Sequence, residues 1–510
     1  VSITLGDLAR LGLIEGLRGA AETRLMGCTQ DSRQVEAGDA FLALGGARTE
    51  GLRFAREAVA RGAVAVIGEG PSAELAEVPC ATFVGEPRAA LARIASAIYG
   101  APSRELCTIG ITGTNGKTTT TWMLDEALHA LGHRPALLGT VEARGPGFRA
   151  PSVLTTPEAD TVERFARRVL RAGASHLVME VSSHALTQRR VDGVHFEVAG
   201  FSNLTQDHLD FHGTMEAYFE AKARLFLDLE PAACCVNVDD PWGARLAEHL
   251  RARAGRATLI RVSAAGAAAE IRARSVHTGR GGLVVDAETP LGPLHVESPM
   301  LGAHNVENML LAAACLLGTQ RYPAPSLDAL GRVLGAARGA PGRLERIPDG
   351  RDVAVLVDYA HSPDALEKVL RALRPITPGR LFCVFGCGGD RDTGKRPLMG
   401  GVAGARADVV VVTSDNPRTE DPNAIIDMIL PGLTTLPETT TSAIADCRRG
   451  RTVVANRRDA ITLAIGAARA GDTVLIAGKG HEDYQILGTE KVHFDDREEA
   501  RAAVRAAGGA

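Results

Sequence analysis

At 510 residues the chain is too long for one ordinary core, and its length sets an expectation of about three domains. The 45% hydrophobic and 23% charged content is that of a soluble globular protein; a net charge of −4 with both signs interspersed excludes a basic stripe for nucleic acid and a basic amphipathic segment for a membrane surface. Nine cysteines, without a CxxC pair and mostly inside apolar runs, read as reduced core residues. Neither a signal-peptide pattern nor an apolar run of about 18 residues is present, so a cytoplasmic protein acting on small molecules is expected.

Residues 1–100 mix β-like runs, Ala40 to Leu44 and Ala63 to Ile67, with a helical stretch from Phe54 to Arg61. Their polar clusters are Asp31-Ser-Arg33, which reads first as a turn or helix cap, and the turn-rich residues 45–51. Ala101-Pro-Ser103 marks a linker. Strand and helix patterns then alternate, which argues for a mainly parallel α/β sheet.

The most informative stretch is Gly113-Thr-Asn-Gly-Lys-Thr118, between the apolar run Leu106 to Ile111 and the helical periodicity of Trp122, Met123, Leu128 and Leu131. In a strand–loop–helix of this kind the amides of Gly113, Thr114, Asn115, Gly116 and Thr119 cradle phosphates. Lys117 reaches the outer phosphates, and the Thr118 hydroxyl can bind Mg2+. The usual loop has a glycine where this chain has Ile111. Two further strands end at polar clusters, at Glu180 to His184 and at Asn203 to His212, on the side where ligands bind in open α/β sheets. Glu180 and His208 therefore suit Mg2+ beside a triphosphate. Lys222 shares a helix face with Tyr218 and Phe226 and by itself reads as a snorkelling lysine. Residues 256–300 look like a smaller peripheral sheet, and residues 302–308 open a helix running through Leu317.

Residues 335–342 break the periodicity as a hinge would, one that closes for chemistry. Beyond them four strands end at Asp358-Tyr-Ala-His361, Gly386-Cys-Gly-Gly-Asp-Arg391, Ser414-Asp-Asn-Pro-Arg418 and Gly478-Lys-Gly-His-Glu482. Four clusters on one rim make a binding site; Arg391, Arg418 and Glu482 suit a ligand with both carboxylate and amine.

With these motifs in view, the chain closely resembles the Mur ligases of peptidoglycan synthesis over nearly its whole length. Gly113 to Thr118 is that family's variant of the phosphate loop, which accounts for Ile111, and Asp415-Asn-Pro-Arg418 matches its motif for adding diaminopimelate rather than lysine. The resemblance implies three domains: 1–100 for a UDP substrate, 101–338 for a central P-loop ATPase sheet, and 339–510 for a Rossmann-like, amino-acid-binding sheet. It implies an ATP- and Mg2+-dependent amide ligase, adding meso-diaminopimelate to UDP-N-acetylmuramoyl-L-Ala-D-Glu through an acyl phosphate, and a monomer is expected.

Carried over by motif, Ser32 and residues 46–48 would touch uridine diphosphate, and Thr155, Thr156, Ser182, Gln188 and Arg190 the muramoyl dipeptide. Asn305, Arg343, Asp358 and His361 would hold ATP. Arg391, Asp415, Asn416, Pro417, Arg418, Gly478 and Glu482 would hold diaminopimelate. Thr118, Glu180, His208 and Lys222 would organise Mg2+, with Lys222 carbamylated; burial against Tyr218 and Phe226 would keep its amine neutral for that reaction. His208 or the carbamate could be the base for the attacking amine. The competing readings are a lysine-adding Mur ligase, a folylpolyglutamate synthase-like ligase, and a P-loop nucleotide switch, although the chain lacks the Asn-Lys-x-Asp signature of GTP switches.

Overall fold

The computed structural model describes residues 3–45, 51–70, 78–253, 255 and 257–508. The chain divides into two compact units, one of Val1–Arg274, Ala287–Leu294 and Glu307–Leu334, the other of Ser275–Asp286, His295–Val306 and Gly335–Ala510.

The first unit holds two main sheets besides a short antiparallel pair of Ile3–Thr4 with Arg24–Leu25. In the smaller, the order is Ile14–Arg18, Cys80–Phe83, Ala65–Gly68, Asp39–Ala43, Gly27–Thr29, parallel except for the antiparallel Ile14–Arg18 edge. Helix Pro87–Tyr99 follows. Pro87 begins it, Glu86 caps it by accepting from the amides of Arg88 and Ala89, and Gly100 ends it in the left-handed region at φ 74°. Its apolar stripe, including Leu91, Ile94 and Ile98, is buried with Leu42 and Ile67 of the sheet.

The larger sheet is parallel from Pro135–Leu138 through His176–Glu180, Cys107–Thr112, Val198–Phe201 and Ala233–Asn237 to Thr258–Ser263. Cys107–Thr112 is buried at every residue, as a strand covered on both faces must be. From it the chain crosses to Pro135–Leu138, returns to His176–Glu180, and then crosses to the other flank at Val198–Phe201. The carboxyl end of Cys107–Thr112 is thus the topological switch point, where a crevice opens. Residues 256–300 do not form the separate small sheet expected from sequence. Thr258–Ser263 extends the central sheet in parallel, because helix Pro241–Ala252 supplies the crossover, and Ile271 and Arg272 pair in turn with Val262 and Ser263.

Glu163, on helix Ala159–Arg171 of this unit, is 1% exposed, and neither of its carboxyl oxygens accepts a hydrogen bond from the described residues. The nearby Ser96 hydroxyl donates to Gly193 O at 2.9 Å. Burial pushes the Glu163 carboxyl from the ordinary 4.5 up to about 8. Below about pH 4.5 it is protonated in both folded and unfolded chains. Between there and about pH 8 only the unfolded chain ionises, so stability falls by about 1.4 kcal/mol per pH unit, and above about pH 8 the penalty is complete. Glu163→Gln is expected to remove this slope. Thermal melts at pH 5 and pH 8 should find the variant's advantage larger at pH 8 than at pH 5; equal differences at both pH values would contradict it.

The second unit is built on a six-stranded sheet in the order Glu345–Ile347, Ala354–Asp358, Thr473–Ala477, Leu381–Phe385, Val409–Val412, Gly450–Val453, parallel except for Glu345–Ile347, with a separate hairpin of Tyr484–Leu487 and Glu490–His493. Alternate residues feed cores on opposite faces: Leu356, Phe385 and Leu475 on one, Val355, Phe382 and Val411 on the other. The fold is therefore α/β, with the P-loop sheet and the doubly wound sheet expected from the alternating pattern. All nine cysteines are free, and all but Cys447 are buried. Among the described residues no helix is long and apolar enough to cross a membrane.

Candidate active site

At the switch point, backbone geometry forces the two loop glycines. Gly113 has φ 145°, and a Cβ there would lie 1.9 Å from Ser202 Oγ; Gly116 has φ 86°, and a Cβ there would lie 2.3 Å from Asn308 Oδ1. Asn203 pins the loop, accepting from Thr114 N at its carbonyl (2.8 Å) and from Asn115 N at Oδ1 (3.0 Å). Helix Lys117–Ala130 starts with no side-chain cap, because Gly116 has none to offer, and a helix start of that kind suits an anion. Lys117 Nζ donates to the carbonyls of Gly113 and Thr114, both at 2.9 Å.

Behind the loop, the Thr118 hydroxyl donates to Glu180 Oε2 at 2.9 Å. Glu180 is fully buried and also accepts from Thr140 N at 2.6 Å and Thr140 Oγ1 at 3.0 Å. Thr140 had no signal in the sequence, since a lone threonine in a loop carries none. Gly139 beside it leaves room for the carboxylate: a Cβ there would lie 2.4 Å from Glu180 Oε1.

Lys222 is not the snorkelling lysine its helix position suggests. It is 1% exposed on helix Met215–Leu227, its Nζ donates to Gly113 O at 2.7 Å, and it lies 4.6 Å from the centre of the Tyr218 ring. Burial, and then the charge of Lys117, hold its pKa well below the ordinary lysine value, so the neutral amine is favoured. The Tyr218 hydroxyl lies 3.2 Å from Thr114 Oγ1, tying this helix to the loop.

His208 is half-exposed and takes the left-handed conformation, φ 52°, at the start of the short helix Leu209–His212. Its ring meets His184 edge-on at 4.9 Å, and His184 lies 4.1 Å from Phe211, ring centre to ring centre. Among the described residues no group of three His, Cys, Asp or Glu side chains converges as a metal cage. The Thr118–Glu180–Thr140 oxygens nevertheless fit Mg2+, a hard cation that keeps several waters and takes few protein ligands beside phosphate.

The residues expected to hold the muramoyl dipeptide lie on the same unit. Thr155 Oγ1 is 3.0 Å from Thr140 Oγ1; Thr156 Oγ1 donates to Glu180 O at 2.8 Å and accepts from Ser182 N at 3.0 Å. Arg190 donates to Thr156 O (2.9 Å) and to Gln188 Oε1 (2.6 Å), and pairs with Glu158 at 2.7 Å. Gln188 and Arg190 line a polar cavity of about 400 Å³ together with Gln30, Asp31, Arg88 and Asp160. Ser32 is buried and donates to Glu57 Oε2 at 2.8 Å, while Asp31 caps the short Ser32–Gln34 turn, as a cap reading of this motif expects. Gly46, Ala47 and Arg48 lie outside the described residues.

On the second sheet the predicted clusters form one network. Gly389 N donates to Asn416 O (2.9 Å), and the Arg418 guanidinium donates through Nη1 to Gly389 O (2.7 Å). Arg418 itself is left-handed, φ 53°, held by its amide on Ile486 O (3.1 Å) and by Gly488 N on its carbonyl (2.8 Å). Asn416 Nδ2 donates to Glu482 Oε2 at 2.9 Å, and burial raises the Glu482 pKa. Pro417 is buried, Gly478 has φ 122°, and Arg391 is exposed. Lys479, flanked by glycines and legible only as a loop lysine, is fully buried within this cluster.

The residues expected to hold ATP from this unit are separate in character. The Asp358 carboxylate accepts from Leu344 N (2.7 Å) and Ala360 N (2.8 Å), and burial raises its pKa. The Arg343 guanidinium lies over the Tyr359 ring at 4.7 Å. His361 Nδ1 is 2.8 Å from Tyr359 O, and the buried Asn305 donates to Leu301 O at 2.7 Å.

A glycine-cornered loop at the switch point of a parallel sheet, with a lysine and a threonine opening an uncapped helix, defines a P-loop nucleotide-binding protein; this one also carries a second doubly wound sheet with a charged rim. The chain belongs to the Mur ligase family: the Mur ligase middle domain matches residues 111–316, the Mur ligase glutamate ligase domain residues 342–480, and the Mur ligase family catalytic domain residues 24–99. It is 47% identical over 501 residues, 96% of each chain, to the UDP-N-acetylmuramoyl-L-alanyl-D-glutamate–2,6-diaminopimelate ligase of Parasynechococcus marenigrum. It is 45% identical over 516 residues, 98% of each chain, to the enzyme of that name from Geobacter metallireducens. A solved structure of a ligase of the same name superposes with a TM-score of 0.72 at 34% identity, covering 99% of both chains.

Proposed function

We propose that this protein is an ATP-dependent, ADP-forming amide ligase that joins meso-2,6-diaminopimelate to the D-glutamyl γ-carboxylate of UDP-N-acetylmuramoyl-L-alanyl-D-glutamate, in peptidoglycan precursor synthesis. The observation that carries this reading is the rim around the 414–418 turn, where the Arg418 guanidinium donates to Gly389 O and the buried Asp415 and half-buried Glu482 carboxylates gather around Lys479. That arrangement suits a ligand end bearing both carboxylate and ammonium, which diaminopimelate has and the side chain of lysine lacks.

A carboxylate is a poor electrophile, so it is first activated. A γ-carboxylate oxygen attacks the γ-phosphorus of ATP, and ADP leaves. The neutral amine of diaminopimelate then attacks the acyl carbon of the acyl phosphate, gives up a proton to a base, and phosphate leaves as the tetrahedral intermediate collapses. Lys117 and the loop amides of residues 113–119 offset charge on the transferring phosphoryl group. Thr118, Glu180, His208 and a carbamate on Lys222 would hold Mg2+, which when bound would neutralise charge on the phosphates. The buried amine of Lys222 supports carbamylation, in which its nitrogen bonds to the carbon of CO2 and loses a proton.

Thr155, Thr156, Ser182, Gln188 and Arg190 hold the muramoyl dipeptide, with Ser32 on the uridine diphosphate side. Asn305, Arg343, Asp358 and His361 are nucleotide contacts. Arg391, Asp415, Asn416, Pro417, Arg418, Gly478 and Glu482 receive diaminopimelate. We assign residues 1–100, 101–338 and 339–510 to substrate, ATP and amino-acid domains, and the protein to the cytoplasm as a monomer. A nucleotide panel with product detection by mass spectrometry tests the ligase reading. ATP should support formation of the muramoyl tripeptide; GTP hydrolysis without any amide product would overturn it.

A further inference from the structure

Lys479 has no place in the chemistry above, yet it is fully buried within the rim of the second sheet. Its Nζ donates to Asn416 Oδ1 at 3.0 Å and lies 3.6 Å from Asp415 Oδ1 and 3.5 Å from Glu482 Oε2. A lysine loses much hydration and side-chain freedom on such burial, so an ammonium here needs charge and hydrogen-bond partners. It has them: two carboxylates and an amide oxygen. The amide of Ile486 also donates to Asn416 Oδ1, at 3.0 Å, which fixes the orientation of that side chain and aims its Nδ2 at Glu482.

The next cation, Arg457, is fully buried and committed to Asp496 through two contacts of 2.7 Å and to the carbonyls of Ala477 and Ser414. Lys479 is therefore the close cation shared by Asp415 and Glu482, and with both ionised one negative charge is left over. Asp415 is 7% exposed, and among the described residues its Oδ1 accepts no hydrogen bond. A buried carboxylate oxygen in that state is a place for an incoming donor.

We infer that Lys479 is a positioning residue of the amino-acid site: it holds Asp415, Asn416 and Glu482 together and leaves the cluster one uncompensated negative charge, so that a single ligand ammonium completes it. This rests on the proposed reading of the rim as the diaminopimelate site. Without Lys479 two carboxylates would face each other in a poorly solvated site, and one would have to take up a proton or turn outward.

The test compares Lys479→Gln, Glu482→Gln and the double variant, with Lys479→Met as a second uncharged replacement, using phosphate release from ATP at varied diaminopimelate. Wild-type release that depends on diaminopimelate is the check on the functional reading itself; its absence would overturn that reading and this inference together. Given that activity, Lys479→Gln should raise KM for diaminopimelate about tenfold or more and leave KM for ATP within about twofold. The double variant, which restores a single uncompensated carboxylate, should be less impaired than the product of the two single effects. Equal rises in both KM values for every folded Lys479 variant, or singles that multiply without coupling, would overturn the positioning role.

Discussion

Lys117→Ala is expected to lower kcat for phosphate release by about 10²- to 10³-fold, the effect of losing one donor aimed at charge that develops in the transition state. The fold should survive. Lys117 is the first residue of helix Lys117–Ala130, and its Nζ donates to the loop carbonyls of Gly113 and Thr114. Gly113 O would keep the 2.7 Å contact from Lys222, and Asn203 would still pin the amides of Thr114 and Asn115. The loss should therefore appear in kcat, with a melting temperature close to wild type and KM for diaminopimelate little changed. A variant that melts much earlier, or that keeps its kcat, would show that the amine holds the loop rather than the phosphates.

Arg418→Ala should raise KM for diaminopimelate about 10²-fold or more and leave KM for ATP near its starting value. The guanidinium is presented by a strained backbone, φ 53°, and that strain is held by two main-chain hydrogen bonds that alanine would retain, to Ile486 O and from Gly488 N. What alanine removes is the fork for the ligand's distal carboxylate and the 2.7 Å contact to Gly389 O. Lysine, lacking that carboxylate, would leave the guanidinium unmatched in the wild-type site, so the variant should also narrow the gap between the two amino acids. Equal losses for ATP and diaminopimelate in steady-state kinetics would remove Arg418 from the amino-acid site.

The parts of this protein that were legible in its sequence are those where chemistry is local. Glycines at 113 and 116 with Lys117 and Thr118 announce a phosphate loop because backbone conformation and helix start demand those residues in that order. The four clusters at 358, 386, 414 and 478 announce a rim because each follows an apolar strand. What escaped depends on contacts between distant segments. Thr140 bonds Glu180 from 40 positions away, Lys222 reaches Gly113 across 109, and Lys479 reaches Asn416 across 63. In each case a polar residue of ordinary local appearance is given its role by the sheet that brings its partner near. The helical face of Tyr218 and Phe226 did place Lys222 toward the interior, but only the fold supplies the carbonyl that receives its amine. The continuity of Thr258–Ser263 with the central sheet was hidden for the same reason, since short strands do not declare their neighbours.

If this protein phosphorylates a carboxylate to make an amide with diaminopimelate, phosphate release from ATP in the presence of UDP-N-acetylmuramoyl-L-Ala-D-Glu must distinguish meso-diaminopimelate from L-lysine. Release that requires diaminopimelate and does not occur with lysine is the predicted result. Release driven by lysine would contradict the role given to Arg418, and release indifferent to both amino acids would contradict the ligase itself.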